Sequence, residues 1–181
     1  MTEDYTRTLA DERRRLLGRL ELERKQLLRN IEFCRIRDID RPFIAEWSLK
    51  DIVGHLASWE AEVVTALREL REGKRPGLLD FAPGAVDEWN HDHIERKRDL
   101  DFSSVFEQLR GGRLRLLEGI SAVSDDELTA EGTVSNRLVL SVIDHERAHW
   151  HEIAAKLAGM AGARPSGPQS VPEEVASGGE H

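Results

Sequence analysis

The chain has 181 residues, 39% of them hydrophobic and 33% charged, which suits one domain with a buried core. The formal net charge of −8 argues against nucleic acid or an anionic membrane as the main partner. There is no apolar run of about 18 residues, no apolar signal segment at the start, and a single cysteine, Cys34, so we expect a cytoplasmic protein without an internal disulfide bond.

Two long helices are predicted in the first 72 residues. The first covers about residues 4–34, where apolar side chains recur at a helical spacing: Leu17, Leu20, Leu27, Ile31 and Cys34. Arg24 is the one polar interruption of that stripe. The second helix begins after Ser48, a favourable N-cap, has Asp51 in its first turn, and ends near residue 72.

Two further helical regions are predicted in the rest of the chain. The third covers residues 84–121, with a break near "DLDFS" and Ser103 as the cap of its second half. "SDDEL" indicates a short turn in which Ser124 and Glu127 form a capping box. The fourth helix runs from about 137 to 158 and ends at Gly159.

The domain organisation follows from these elements. No strand pattern is visible, and four long helical regions in one domain predict an all-α four-helix bundle over residues 1–159. Residues 160–181 are rich in Gly, Pro, Ser and Glu, which predicts a disordered tail.

Histidines lie on the face of the fourth helix that should point to the core. Residues at intervals of three or four form that face: Leu138, Val142, His145, His149, Ile153 and Leu157. His55 holds a similar position on the second helix, between Ile52 and Trp59. Three imidazoles directed into one core need a partner, and a divalent metal with an open coordination position would provide it. The alternative is that each histidine is a hydrogen-bonded packing residue.

The stretch "HERAHWHEI", residues 145–153, also contains the His-Glu-x-x-His motif of zinc proteases. Such enzymes take their third ligand downstream, and the position six residues after His149 is Ala155. Glu173 and Glu174 lie in the predicted tail. No sheet edge is predicted that could hold an extended peptide. The third ligand is therefore better sought upstream, at His55, and a protease is disfavoured.

Two stretches together, "EWSLKDIVGHLASWE" and "HERAHWHEI", resemble the DinB-like superfamily of DinB/YfiT-like metalloenzymes. The resemblance covers about residues 5–158. It implies an up-down-down-up four-helix bundle, often dimeric, in which His55, His145 and His149 hold a nickel or zinc ion. Relatives with known activity use low-molecular-weight thiols, as mycothiol-dependent isomerases and bacillithiol transferases do. Others, of the colibactin self-resistance type, act on an electrophilic toxin.

The leading hypothesis is therefore a metal-dependent enzyme of the thiol-transferase type, whose substrate is a small molecule. A hydrolase at the same site, a protein that binds a small electrophile without turnover, and a structural bundle without metal are the alternatives. Asp51 and Glu152 are candidates to hydrogen-bond the ligand rings, and His93 and Trp59 are candidates to line the pocket. A solvated charge, a surface histidine and core packing are the respective alternatives.

Two other side chains are interpreted without a role at the site. Cys34 ends the apolar stripe of the first helix, which favours a buried structural thiol over a nucleophile. His151 is two residues after His149, so it should point away from that side chain and be exposed.

Overall fold

The structure, a computed structural model, describes residues 3–80 and 85–162, and these form an all-α fold without a β-strand. Six α-helices follow one another in this part of the chain: α1 (Glu3–Glu32), α2 (Leu49–Arg71), α3 (Ala85–Glu95), α4 (Phe102–Ser121), α5 (Asp125–Thr129) and α6 (Val134–Gly162). Short 3-10 turns at Ile36–Asp38 and Gly77–Asp80 lie in the connections. The predicted all-α class is confirmed, while the four-helix bundle stays a prediction, and the predicted break of the third region separates α3 from α4.

The long helices α1, α2, α4 and α6 enclose the core. Helix α2 packs against α4, α6 and α3, while α1 packs against α6 and α5. The core consists of two clusters. One contains Leu20, Val63, Leu116 and Ile143, and the other contains Leu27, Ile52, Leu109 and Ile153. Each cluster therefore takes side chains from all four long helices, and each fully buried leucine or isoleucine contributes roughly 1.5–3 kcal/mol.

The start of α2 is held by the predicted N-cap. Ser48 Oγ accepts a hydrogen bond from Asp51 N at 3.1 Å, and Ser48 N donates to Asp51 Oδ2 at 2.9 Å. This reciprocal capping box satisfies backbone donors that the helix leaves free. The preceding loop is closed by Phe43 N and Trp47 N, which donate to Trp47 O and Ile44 O at 2.8 and 3.0 Å. The loop and the cap together fix Trp47 at the helix entrance.

Two predicted caps differ in the structure. Helix α4 is capped by Asp101, whose side chain accepts from Ser104 N at 2.7 Å, so the prediction of Ser103 was wrong by two residues. Ser124 caps α5 as predicted. The Glu127 side chain does not complete a capping box, because its carboxylate accepts instead from Ser135 Oγ at 2.7 Å.

Helix α6 is longer than the predicted span of 137–158. It begins at Val134, because Thr133 Oγ1 accepts a hydrogen bond from Asn136 N at 3.2 Å and so acts as the cap. It continues beyond Gly159 to Gly162, and Gly159 does not take the positive φ of a helix-ending glycine. The domain boundary at residue 159 stays a prediction, and the predicted tail lies outside the described residues from residue 163 onward.

Two remaining points concern the connections and the membrane. In the connection after α2, the turn Gly77–Asp80 places Leu78 against the core, and residues 81–84 lie outside the described part. None of the described helices is long and apolar enough to cross a membrane.

Candidate metal centre

The structure brings together the three histidines that the sequence singled out. His55 comes from α2 and is buried, while His145 and His149 come from α6 and are half-buried. The Nε2 atom of His145 lies 2.7 Å from His55 Nε2 and 3.1 Å from His149 Nε2. One ligand atom from each ring lies within 4.8 Å of the other two. We call these three residues the histidine centre.

The histidine centre is uncharged at neutral pH. Burial, reinforced by the neighbouring His145 and His149, lowers the pKa of His55 to about 2. Burial and the neighbouring His149 lower the pKa of His145 to about 3. Burial also lowers the pKa of His149, although the carboxylate of Glu152 opposes this change. All three rings are therefore neutral imidazoles, the form that binds metal ions.

The three converging nitrogens cannot satisfy one another. A neutral ring nitrogen carries either one proton or one lone pair, so His145 Nε2 cannot form a full hydrogen bond with both neighbours. In addition, His55 Nδ1 is buried without a hydrogen-bond partner among the described residues. Ligand nitrogens of a tetrahedral zinc ion stand about 3.3 Å apart. The separations at His145 are 2.7 and 3.1 Å, and the ligand atoms of all three rings lie within 4.8 Å of one another. The arrangement is thus compatible with a divalent metal ion.

A carboxylate supports one ring of the histidine centre. Glu152 Oε2 lies 3.1 Å from His149 Nδ1, on the opposite side of that ring from the converging Nε2 atoms. Such a contact fixes the ring orientation and leaves Nε2 with its lone pair. Asp51, the other candidate, is engaged in the α2 cap. Of the two predicted carboxylates, the structure therefore places only Glu152 on a ligand ring.

Comparison with known proteins identifies the family of this chain. The family model of the DinB superfamily matches residues 8–153, most of the chain and all three histidines. The chain belongs to the DinB superfamily. Neither a curated protein nor a solved structure shows significant similarity to it. The match confirms the resemblance that the two histidine-containing stretches indicated.

Indole rings surround the histidine centre of this DinB-superfamily chain. The Trp47 ring centroid lies 5.0 Å from that of His55 and 6.3 Å from that of His149. Trp89 lies 5.9 Å from His55, and Trp59 lies 5.4 Å from His145. Trp59 was the best candidate from the sequence, yet Trp47 contacts two of the three histidines. These rings shield the nitrogens from water.

A cavity of about 580 Å³ is lined by Trp47, which also contacts His55 and His149, although none of the three histidines lines the cavity. Its walls come from the loop before α2, the first turn of α2, and α3, and they include Glu46, Asp87 and Asn90. Asn90 Oδ1 is buried and has no hydrogen-bond partner in the described part of the chain. The cavity is large enough for a small-molecule ligand.

Glu146, the glutamate of the protease-like motif, lies in a different environment. It is 1% exposed, and its Oε1 and Oε2 accept from Arg24 Nε at 2.5 Å and Arg113 Nη2 at 2.8 Å. Glu60 accepts from the same two arginines, at 2.9 and 2.6 Å. We call Arg24, Glu60, Arg113 and Glu146 the ion-pair tetrad. A carboxylate bonded to two guanidinium groups is no general base, which removes the remaining support for a protease.

Sequence reasoning missed the ion-pair tetrad. Arg24 was noticed only as an interruption of the apolar stripe, and that interruption was the available signal. Glu60 and Arg113 could not be told from solvated helix charges. A stripe that loses one apolar position to an arginine predicts a buried partner, but only the packing of α1 against its neighbours identifies it.

The other histidine candidates lie outside the histidine centre. His93 stacks on Trp89, with ring centroids 3.9 Å apart, and its Nδ1 is 2.9 Å from Trp89 O. It therefore supports one of the surrounding indoles. His151 is exposed, as expected, and stacks on Trp150.

Cys34 behaves as a structural thiol. It is half-buried, packs at the edge of the second core cluster, and its Sγ lies 3.5 Å from Asn30 O. Burial and the negative charge of Asp38 raise the pKa of the Cys34 thiol to about 11. A thiol with so high a pKa is a poor nucleophile at neutral pH.

Proposed function

We propose that this protein is a metal-dependent enzyme that holds a zinc or nickel ion through His55, His145 and His149 and uses it to activate a low-molecular-weight thiol. The observation that supports the proposal is the convergence of three neutral Nε2 atoms, 2.7 and 3.1 Å apart at His145, without protein partners that satisfy them. Membership of the DinB superfamily supports it independently.

Each residue of the site has a definable part in this function. A bound divalent ion would supply a doubly positive centre that lowers the pKa of a thiol and makes the thiolate available to an electrophile. Three neutral imidazoles do not cancel that charge, so they favour an anionic ligand. Glu152 orients His149, while Trp47, Trp59 and Trp89 exclude water and strengthen the local electrostatics. The cavity beside Trp47 offers space for the rest of the substrate.

The proposal includes the finer architecture that the resemblance implies. In it, α1, α2, α4 and α6 form an up-down-down-up four-helix bundle, and the protein acts as a homodimer in the cytoplasm. Exposed leucines on α1 and α4, Leu22, Leu114 and Leu117, offer apolar surface for self-association. Light scattering tests the dimer, and a mass of one chain would contradict it.

Metal content is the first test. Protein purified without a metal-affinity tag should contain about one equivalent of zinc or nickel by elemental analysis. His149→Ala should lose the metal, whereas His151→Ala, a change of an exposed histidine in the same helix, should retain it. No metal in the wild type, even after incubation with zinc and nickel, would contradict the proposal.

A second experiment distinguishes the chemistry. The metal-loaded protein is mixed with an electrophile, with and without low-molecular-weight thiols. Multiple turnovers that require the thiol support the transferase. Turnover without thiol indicates a hydrolase, and loss of one equivalent of electrophile indicates a binding protein without catalysis; either result overturns the thiol-transferase assignment.

A further inference from the structure

The ion-pair tetrad is a closed network in the interior of the four long helices. Arg24 (α1), Glu60 (α2), Arg113 (α4) and Glu146 (α6) form four salt bridges, and each carboxylate meets both arginines. The carboxylate side chains are 2% exposed and the arginine side chains 11%. Burial by itself would lower the pKa of Arg113, but Glu146 and Glu60 outweigh it and raise that pKa above its ordinary value. Arg113 therefore stays charged in contact with both carboxylates.

The network also uses the third nitrogen of each guanidinium group. Arg24 Nη1 donates to Leu109 O at 3.0 Å, and Arg113 Nη1 donates to Leu20 O at 2.8 Å. Each arginine thus contacts the backbone of the other's helix. Every carboxylate oxygen and every guanidinium nitrogen of the network has a protein partner.

Stability alone does not explain such a network. Well-packed apolar residues of similar volume often stabilise a protein as much as a buried ion pair or more, because charges are costly to remove from water. The tetrad lies between the two apolar clusters: on α1, for example, Arg24 stands between Leu20 and Leu27. An apolar layer at this level would join the clusters. What apolar contacts lack is the fixed geometry of guanidinium–carboxylate pairs.

The position of the tetrad relates it to the histidines. Glu146 directly follows His145 on α6, and Glu60 is five residues, about 7.5 Å, beyond His55 on α2. Both glutamates bind the same two arginines, so the axial positions of α2 and α6 are set relative to each other next to the histidine centre. Metal ligands require distances within about 0.2 Å of their ideal values, which sliding helices cannot provide.

We propose that the ion-pair tetrad positions His55 and His145 for metal binding by fixing the register of α2 against α6. This inference rests on the proposed metal site. The four tetrad residues are positioning residues that do not touch the metal or the substrate. Loss of the fixed register lowers metal affinity even where the fold is kept.

The test uses a fourfold variant, the tetrad variant, in which all four charged residues are replaced together: Arg24→Met, Glu60→Leu, Arg113→Met and Glu146→Leu. We expect the metal-free variant to resist urea about as well as the wild type, since no charge is left unpaired. Its zinc affinity, measured by competition with a chromophoric chelator, should fall at least tenfold, the range for residues that support ligands. The absorption spectrum of the cobalt-substituted protein should change with it.

A matched control removes a different ion pair on α6, in which Glu23 is buried and the Arg147 side chain is 40% exposed. Arg147 binds Glu23 of α1 at 2.5 Å without involving α2. The Glu23→Leu, Arg147→Met variant should therefore keep zinc affinity within about twofold and keep the cobalt spectrum. If the fourfold variant does not fold, the double variant Arg24→Lys, Arg113→Lys serves instead. It keeps the positive charges but lacks the planar guanidinium groups, and the same tenfold loss of zinc affinity is expected.

The outcomes separate this inference from the proposed function. A folded tetrad variant with wild-type zinc affinity and cobalt spectrum overturns the positioning role, while the metal site stands. If the wild type binds no metal, the proposed function fails, and a metal-free readout still decides. The His55 and His145 ring centroids are 4.6 Å apart, so their ring protons should show a nuclear Overhauser effect in the wild type. Persistence of that effect in the variant overturns the inference.

Discussion

The histidine centre and the ion-pair tetrad bury polar side chains in the same set of helices in two different ways. The tetrad buries four full charges, and each of them has partners: two carboxylates and two guanidinium groups bind one another and the backbone. The histidine centre buries three neutral rings that converge without satisfying one another, and His55 Nδ1 has no partner among the described residues.

This difference separates a structural polar cluster from one that accepts a ligand. Charge is greater in the tetrad, yet each of its carboxylate oxygens and guanidinium nitrogens already has a protein partner. The histidine centre carries no charge, and what it offers is unused lone pairs. Unsatisfied hydrogen-bonding capacity, rather than polarity, is therefore the property that indicates a binding site.

The largest expected effect comes from removing one member of the tetrad. Glu146→Leu leaves Arg24 and Arg113 buried with half their charge partners, so the free energy of unfolding should fall by about 3–5 kcal/mol. His145→Leu, a change of the adjacent residue, removes only a neutral ring and should cost less than about 1 kcal/mol in metal-free protein. Urea unfolding in the presence of a chelator measures both. Equal losses in the two variants would show that the two regions do not differ as described.

A second prediction concerns the pH dependence of the metal-free protein. The folded pKa values of His55 and His145 are about 2 and 3, below the unfolded value of about 6.5. Unfolding therefore takes up protons below pH 6.5, and stability that is present above this pH is lost as the pH falls. Protonation of these two groups on unfolding should lower the free energy of unfolding by about 3 kcal/mol between pH 7.5 and pH 5.5. Denaturant titrations at several pH values check this.

The control for the pH prediction is the double variant His55→Gln, His145→Gln. Its stability should change less over the same range, because two of the three histidine rings that resist protonation in the folded state are gone. A pH slope as steep as that of the wild type would place the titrating groups elsewhere in the protein.

A smaller effect is expected at the carboxylate that supports the histidine centre. Glu152→Gln keeps a hydrogen-bond acceptor near His149 Nδ1 but removes the negative charge, so the ring becomes a weaker ligand. Since the Glu152 side chain is 53% exposed, we expect the lower end of the usual range, about a tenfold loss of zinc affinity. Chelator competition measures it, with His151→Ala as the control. An unchanged affinity would leave Glu152 as a solvated helix charge.

The smallest predicted effect is a difference in stability between alanine substitutions at two adjacent glycines of α4. A Cβ at Gly112 would meet Glu60 Oε2 at 3.2 Å, and that carboxylate is held by two arginines. Gly112→Ala should therefore destabilise the protein by about 1 kcal/mol despite the better helix propensity of alanine. A Cβ at Gly111 would meet only the end of the exposed Arg115 side chain. Gly111→Ala should stabilise by about 0.5–1 kcal/mol, as thermal unfolding of both variants can show.

The sequence predicted those features that depend on a single helix. Apolar periodicity identified the long helices, the Ser48–Asp51 cap was correct, and the spacing of His145 and His149 placed both rings on one face. Other features depend on contacts between helices and could not be derived in this way. Arg24 and Arg113 have their partners on other helices, and Trp47 reaches the histidine centre through a loop whose path no periodicity describes.

Errors at the helix ends had local causes. Thr133 begins α6 a turn early because its hydroxyl accepts from Asn136 N, and Asp101 caps α4 in place of Ser103. Asp101 and Ser103 are both suitable capping residues, and the sequence alone did not decide between them.

The division of the histidine centre between two helices has a consequence for biosynthesis. His55 and His145 are 90 residues apart in the chain, and only the second of the two helices carries a pair of rings. A nascent chain that has emerged as far as α4 presents one of the three imidazoles, so the full ligand set exists only after α6 has been made. If the histidine centre binds the proposed metal ion, loading is a late event that distinguishes complete chains from truncated ones, since a fragment ending before residue 145 lacks two of the three ligands.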